Sequence, residues 1–342
     1  MALTELLPRS NRAPALYADY WFNGEPVLLS TLQGSVVFLF FWDSSCAQSL
    51  RFLPYVREWD KRYRQSGLVT VGIHTPRFPF AKNPEVVQRA LDKLNVTFPV
   101  AMDNEGIIAA NYGMRVWPMG AVIDKYGFIR AMIHGDSSFS SAERSLQGYL
   151  YEVGLIGQMP DYMDPVREID REGSVCYHAT PELQTGYLRG SLGNVEGYLP
   201  ESMVDYEDPR IYIDGKFYAD GTWLNGRECL RLAMPADHEG QIIVSYQGSD
   251  VTGVLAAEDG LSVQVSVRQD DESLTSANRG DDITLGEDGS SSILVGEPRL
   301  YSIVRNKDFG EHLLRLSASG GKLSVYSISF GTSLVPDMIS TN

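Results

Sequence analysis

The sequence predicts two domains of different class: an α/β domain built on a mostly parallel sheet, followed by an all-β sandwich. Three observations carry this. Apolar strand-like runs alternate with helical spacings as far as Val153. Beyond Gly186, short strand-like runs recur between Gly, Asp, Asn and Ser turns, with no helix of useful length. A chain of 342 residues is also longer than one ordinary small domain.

Residues 1–25 carry turn formers and a few aromatics (Tyr17, Tyr20, Trp21, Phe22), and 27–32 with the Gln33-Gly34 turn reads as a first strand or hairpin. An apolar strand at 36–42 ends in a polar turn carrying Cys46. A helix follows to about Gln65, with Leu50, Leu53 and Val56 on one face and Arg51, Arg57 and Glu58 on the other. Pro54 falls inside it, where a helix kinks. The run 68–73 reads as a buried parallel strand and 74–80 as a proline-rich loop. A helix at 83–94 has Asn83 as cap and Pro84 in its first turn. Then come a short strand at 98–102, a short helix at 104–112, a hairpin of 119–124 and 128–134, and a last helix at 140–153. Residues 155–180 lose periodicity and read as a linker. The strand-like runs of the second domain are 210–218, 229–234, 241–247, 251–257, 261–267, 293–295, 300–304, 313–318 and 323–330. The Asp/Ser/Gly-rich stretch 269–292 reads as a long surface loop.

The net charge is −15. Residues 1–165 hold 15 Lys+Arg and 16 Asp+Glu, so almost all of that charge lies in the second part, which argues against its binding nucleic acid or an anionic membrane. No apolar run approaches the ~20 residues that span a bilayer. The N-terminus has no basic region followed by an apolar core, so as written the chain reads as cytoplasmic, or as extracytoplasmic if a leader precedes it. Cys46, Cys176 and Cys229 are too far apart in sequence for a metal-ligand motif or a disulfide framework.

Cys46 carries the chemistry. A strand that delivers a cysteine to a helix N-terminus places it against unpaired N–H groups and the positive end of the helix dipole, which favour thiolate. Asp43 nearby opposes that effect and Arg51 supports it.

The stretch 36–54 resembles a thioredoxin-fold active site, whose pattern F-W-x-x-x-C-x-x-C is followed by a kink proline. Phe41, Trp42, Cys46 and Pro54 match, but Ser49 stands where the second, resolving cysteine would be, giving Cys-Ala-Gln-Ser. IHTPRFPF (73–80), FPVAMDNEGIIAANYG (98–113) and VWPMGAVIDKYGFIR (116–130) extend the resemblance to the redoxin (AhpC/TSA-like, TlpA-like) family, especially the thioredoxin portion of DipZ-type cytochrome-biogenesis proteins. TPELQTGYLRG (180–190), RLYSIV (299–304) and VYSISFG (325–331) resemble the carbohydrate-binding-module-like sandwich that follows it there. The resemblance implies a thioredoxin-like domain at 1–155, a linker at 156–180 and a jelly-roll or galactose-binding-like sandwich at 181–342.

It also implies a cis bond at Trp117-Pro118, and a substrate groove shaped by Trp42, Trp117 and Pro118 that takes a protein thiol or disulfide as partner. In the same frame Phe40 replaces the buried carboxylate of many thioredoxins, and Arg77 replaces a glutamate. The expected function is single-thiol thiol–disulfide exchange with Cys46 as nucleophile and Ser49 assisting. The competing reading is non-enzymatic: a thioredoxin fold used as a binding scaffold, with a sandwich that binds glycan or a protein partner. The peroxidase pattern P-x-x-x-T-x-x-C is absent before Cys46. His74 and His134 read as structural or as a base, Cys229 as a buried thiol, and Cys176 as a linker thiol or a resolving one. Trp223, Tyr212, Tyr218 and Tyr246 read as core or as a sugar-stacking platform. Asp270, Asp271, Asp281, Asp282 and Asp288 read as a solvated loop or as oxygen ligands for Ca²⁺. No cofactor and no metal is assigned.

Overall fold

The run 36–42 has no polar face, and a strand of that kind must lie inside a sheet covered on both sides. The structure, a computed structural model, describes residues 4–6, 11–135, 139–154, 159–235, 238–258, 260–320 and 322–336. The chain divides into two compact units, Met1–Ser174 and Val175–Asn342.

The strands of the first unit are β1 (Thr4–Leu6), β2 (Trp21–Phe22), β3 (Val36–Trp42), β4 (Leu68–His74), β5 (Val100–Met102), β6 (Met119–Ile123) and β7 (Ile129–His134). Its helices are α1 (Ala47–Tyr63), α2 (Pro84–Lys93), α3 (Ile107–Asn111) and α4 (Phe139–Glu152). The sheet order is β1-β7-β6-β3-β4-β5-β2, parallel through β3, β4 and β5 and antiparallel elsewhere. Alternate residues of β3 serve opposite faces. Phe38, Phe40 and Trp42 pack with Phe52, Val56 and Trp59 of α1 and with Leu146 and Leu150 of α4. Val37, Leu39 and Phe41 pack with Ile108 and Ala109 of α3 and with Tyr112. This is a thioredoxin-like fold.

Three local readings change. The strand expected at 27–32 is a 3-10 turn at Leu29–Leu32, and it is β2 that pairs with β5. The helix expected at 104–112 shortens to α3, because the Asp103 carboxylate takes the N–H groups of Ile108 (2.9 Å) and Ala109 (2.8 Å) and so fixes where it starts. Of the stretch 155–180, residues 155–158 lie outside the described residues. Residues 159–174 are tied onto the first unit. Tyr55 donates to Asp170 (2.7 Å) and accepts the Val166 N–H (2.8 Å), and Glu143 accepts the Met163 N–H (2.9 Å).

The second unit is predominantly β. Its strands are β8 (Leu183–Gln184), β9 (Met203–Tyr206), β10 (Phe217–Asn225), β11 (Leu230–Leu232), β12 (Glu239–Ala257), β13 (Val263–Gln269), β14 (Glu272–Ser273), β15 (Thr284–Leu285), β16 (Ser291–Val295), β17 (Arg299–Ser319) and β18 (Leu323–Phe330). Four of the expected strands are two. The runs at 241–247 and 251–257 join as β12, and those at 300–304 and 313–318 join as β17. Register shifts at Gly248/Asp250 and Val251/Thr252 let β12 bend without ending. Its first part pairs with β10 and its second with β18. The supposed loop at 269–292 is pinned by buried Leu274 and Ile283 and contains β14 and β15.

Candidate active site

β3 ends at Trp42, and the turn 43–46 hands the chain to α1. Asp43 organises that turn. It is fully buried, and its carboxylate accepts the Ser45 N–H (2.6 Å), the Ser45 hydroxyl and the Arg77 N–H (2.8 Å). The last of these pulls the β4–α2 loop against the turn. The Asp43 carbonyl accepts the Cys46 N–H at 3.1 Å. Cys46 is the N-cap of α1, with extended backbone (φ −95°, ψ 115°) and no side-chain cap bond.

Cys46 is 2 % exposed. Its thiol donates to Gln48 Oε1 at 3.4 Å, and the Ser49 hydroxyl and N–H both reach it. Ser49 is fully buried, and its hydroxyl also accepts the Asp43 N–H (3.4 Å). Burial pushes the Cys46 thiol above its ordinary value. The Arg77 charge and the two Ser49 donors pull it back, and Asp43 adds to the rise. The expectation of a lowered thiol is therefore not met: burial raises it by more than Arg77 and Ser49 lower it. The cation that bears on the sulfur is Arg77, from the loop, where sequence spacing had pointed to Arg51.

The Trp117-Pro118 bond is cis. Trp117 is half-buried, and its indole N–H donates to the Thr75 carbonyl at 2.9 Å. Thr75 in turn donates its N–H to Trp42 O (2.9 Å) and its hydroxyl to Asp103 (3.2 Å). The cis-proline loop thus hangs on the same β4–α2 loop that carries Arg77. Trp42 does not line a groove. It is fully buried, stacked on Phe40 and edge-on to His74, because its position on β3 points it into the α1 layer. Phe40 is equally buried, leaving no carboxylate at that place.

His74 is fully buried. Ser44 donates its N–H to Nε2 at 3.3 Å, which puts the ring proton on Nδ1, and Nδ1 has no hydrogen-bond partner among the described residues. Burial holds this imidazole below its ordinary value against the pull of Asp43. A cleft of about 780 Å³ lies at the other end of α1, lined by Pro54, Arg57, Lys61, Arg64 and Thr97. Cys46 takes no part in it.

In the second unit Trp223, Tyr218 and Tyr246 are fully or almost fully buried, so they are core and no sugar platform. Tyr212 is half-buried and engaged by Asp208 (2.8 Å) and Arg315 (3.0 Å). Each loop aspartate has an internal partner: Asp270 with His312, Asp271 with Arg315, Asp281 with Arg305, Asp282 with Arg299 and Asp288 with Ser290. No group of three or more metal-ligating side chains occurs among the described residues. Cys229 is buried beside Arg231, Tyr326 and Ser324.

A parallel-centred sheet, a cysteine opening the helix after its central strand and a cis-proline loop before β6 are the features of a thioredoxin-like fold. Sequence comparison agrees. Residues 10–132 match the model of the AhpC/TSA family, and residues 180–331 match that of the Thioredoxin like C-terminal domain. The chain is thus similar to an AhpC/TSA-family domain over its first part and to a thioredoxin-like C-terminal domain over its second. Protein DipZ of Mycobacterium tuberculosis is 26% identical over 316 residues, 91% of this chain and 41% of DipZ. The chain therefore spans about two fifths of that relative's length. Thiol-disulfide oxidoreductase ResA of Bacillus anthracis is 28% identical over 131 residues, 38% of this chain and 70% of ResA. A thiol-disulfide isomerase structure from Corynebacterium glutamicum is 23% identical with a TM-score of 0.36, over 40% of this chain and 96% of that one.

Proposed function

We propose that the first unit is a single-thiol thiol–disulfide exchange protein with Cys46 as its nucleophile. The observation that carries this reading is the Cys46 sulfur at the N-cap of α1 with the buried Ser49 in the first turn of that helix, whose hydroxyl and N–H pull the thiol down and so favour thiolate as it forms. Trp117 and Pro118 shape the approach of a protein thiol or disulfide. Ser49 cannot attack the mixed disulfide that Cys46 forms, so release needs an external thiol. The buried thiol is protonated at neutral pH, so exchange is slow there and its rate climbs through alkaline pH.

The test is the rate of mixed-disulfide formation with 2-hydroxyethyl disulfide from about pH 6 to 10, read at the Cys46 peptide by mass spectrometry. A rate that rises with pH and still climbs at ~9 is expected. No adduct at any pH overturns the reading.

Burial of Cys46 also favours a second reading, in which the thioredoxin fold is a scaffold and the predominantly β unit, read as a jelly-roll or galactose-binding-like sandwich, binds glycan or a protein. That unit has a groove of about 470 Å³ lined by Gln264, Ser266, Ser292, Ser317, Ser319 and Lys322, hydroxyl-rich and without an aromatic. Silence across a glycan array removes the sugar part of this reading.

A further inference from the structure

The cleft at the far end of α1 is built from charges that the Cys46 site does not use. Arg57 and Lys61 stand one turn apart on one face of α1, roughly 6 Å along its axis, and both are exposed. Neither has an ion-pair or hydrogen-bond partner among the described residues. The two carboxylates that line the same cleft are each already engaged, Glu58 by Arg62 (2.9 Å) and Asp60 by Arg64. The positive charges of Arg57 and Lys61 therefore line the cleft uncompensated. A cation in the last helical turn answers the helix dipole, which accounts for Lys61 but not for Arg57, more than a turn before the end of α1. Gln65, Asn95 and Thr97 add exposed amide and hydroxyl groups to the lining.

We propose that this cleft docks a short acidic segment of a partner protein, held in extended form against α1. Its volume of about 780 Å³ is too large for a single small anion and suits a few peptide residues. Alternate side chains of an extended chain lie about 6.6 Å apart on one face, close to the step from Arg57 to Lys61. Acidic residues at every second position therefore meet both cations. The amides of Gln65 and Asn95 and the Thr97 hydroxyl suit a peptide backbone, which offers N–H and C=O groups in alternation. A nucleic acid is the weaker fit. The net charge of −15 repels a long polyanion, whereas a short acidic segment meets mainly the charges within one screening length, about 10 Å at 0.1 M salt. Docking here leaves the Cys46 turn free, since Cys46 takes no part in the cleft.

The experiment follows the fluorescence anisotropy of three labelled probes on the full chain, at low salt and at about 150 mM. They are an octapeptide of alternating glutamate and threonine, its counterpart of alternating glutamine and threonine, and an octamer of deoxythymidine. The acidic peptide should bind saturably at low salt, weaken as salt rises, and bind roughly tenfold or more tightly than the oligonucleotide, with no binding of the neutral peptide. The double variant Arg57→Gln, Lys61→Gln should weaken the acidic peptide by roughly tenfold, the scale of two exposed ion pairs. The same loss of charge at exposed Arg189 and Arg210 of the second unit, each replaced by glutamine, should leave its affinity unchanged. Hydrogen exchange of the wild type, with added protection around Asn95 and Thr97 when the peptide is bound, carries the test even if a variant fails to fold. No binding of the acidic peptide, binding that the folded double variant keeps, or an equal loss in the Arg189 and Arg210 control overturns the site. Oligonucleotide binding as tight as the peptide's assigns the cleft to polyanions in general and overturns the peptide reading. Exchange at Cys46 stands or falls on its own test.

Discussion

At the scale of single residues, position 49 decides what Cys46 can do. Ser49 lies in the first turn of the helix that Cys46 caps, and its hydroxyl bears on the sulfur, so a thiol at that place stands beside Cys46. Ser49→Cys should therefore close an intramolecular disulfide under oxidised dithiothreitol and gain insulin reduction that the wild type lacks. A variant that stays a free dithiol would show that the turn holds the two side chains apart. His74 gives a second prediction. Its folded value lies below the ordinary 6.5, so below that pH the unfolded chain binds the extra proton. Stability is complete above 6.5 and declines as pH falls, by at most ~1.4 kcal/mol per pH unit. Denaturant midpoints at pH 7 and 5 should differ less in His74→Gln, whose amide oxygen can still accept the Ser44 N–H. An equal difference in both proteins would assign the pH dependence to other groups.

The residue scale is also where the sequence was read least well. It marked Cys46, Ser49, Pro118 and the unusual Arg77, because each stands in a recognisable pattern. It did not show that Asp43 binds the Arg77 backbone from 34 positions away, because a hydrogen bond between loops leaves no spacing signal. The nearest local signal was the Asp43-Ser44-Ser45 turn chemistry. Trp42 was misassigned for a related reason: matching a motif fixes a position on a strand but not which layer that strand's side chain enters.

At the scale of elements, the alternation of β3 built the first unit from either side, and it leaves little room on the strands beside it. A Cβ on Gly120 of β6 would meet the Phe38 ring at 2.8 and 2.9 Å and Ile133 at 3.3 Å. Gly120→Ala should cost about 1–3 kcal/mol in chemical denaturation, the usual range for overpacking a core; a neutral result would mean Phe38 can rotate away. The helices were legible from caps and period. Asn83 accepts the Glu85 N–H at 2.9 Å, with Pro84 next to it. The β strands of the second unit were legible as apolar runs but not as lengths. The polar stretch 305–312 reads as a break, yet it lies within β17, where Arg305, Gly310, Glu311 and His312 pair with β12. Ladder bonds supplied by a partner override a segment's own preference.

At the scale of the whole molecule, the segment 159–174 belongs structurally to the first unit, whatever its composition implies. Tyr55 is one of its fastenings, one hydroxyl both donating to Asp170 and accepting from Val166. Tyr55→Phe should leave the Val166 N–H without its partner and Asp170 with Arg167 alone, lower the stability of the first unit by about 1–3 kcal/mol and speed proteolysis within 159–174. Unchanged proteolysis would show that the Glu143 and Gln147 bonds to the segment, with Met159 and Met163 packed on the α1 and α4 layer, hold it without Tyr55.

The sequence by itself determined the class of each unit and the place of the thiol. Hydrophobic period, turn residues and motif spacing are local quantities, and the chain states them directly. Only the tertiary structure decided the state of that thiol. A helix start favours thiolate, and a reading confined to residues 43–51 finds nothing to outweigh it. Folding then buries the sulfur, aims Ser49 at it and brings Arg77 in from another loop. Desolvation, which depends on everything packed around the atom, pushes the thiol up by more than Arg77 and Ser49 pull it down.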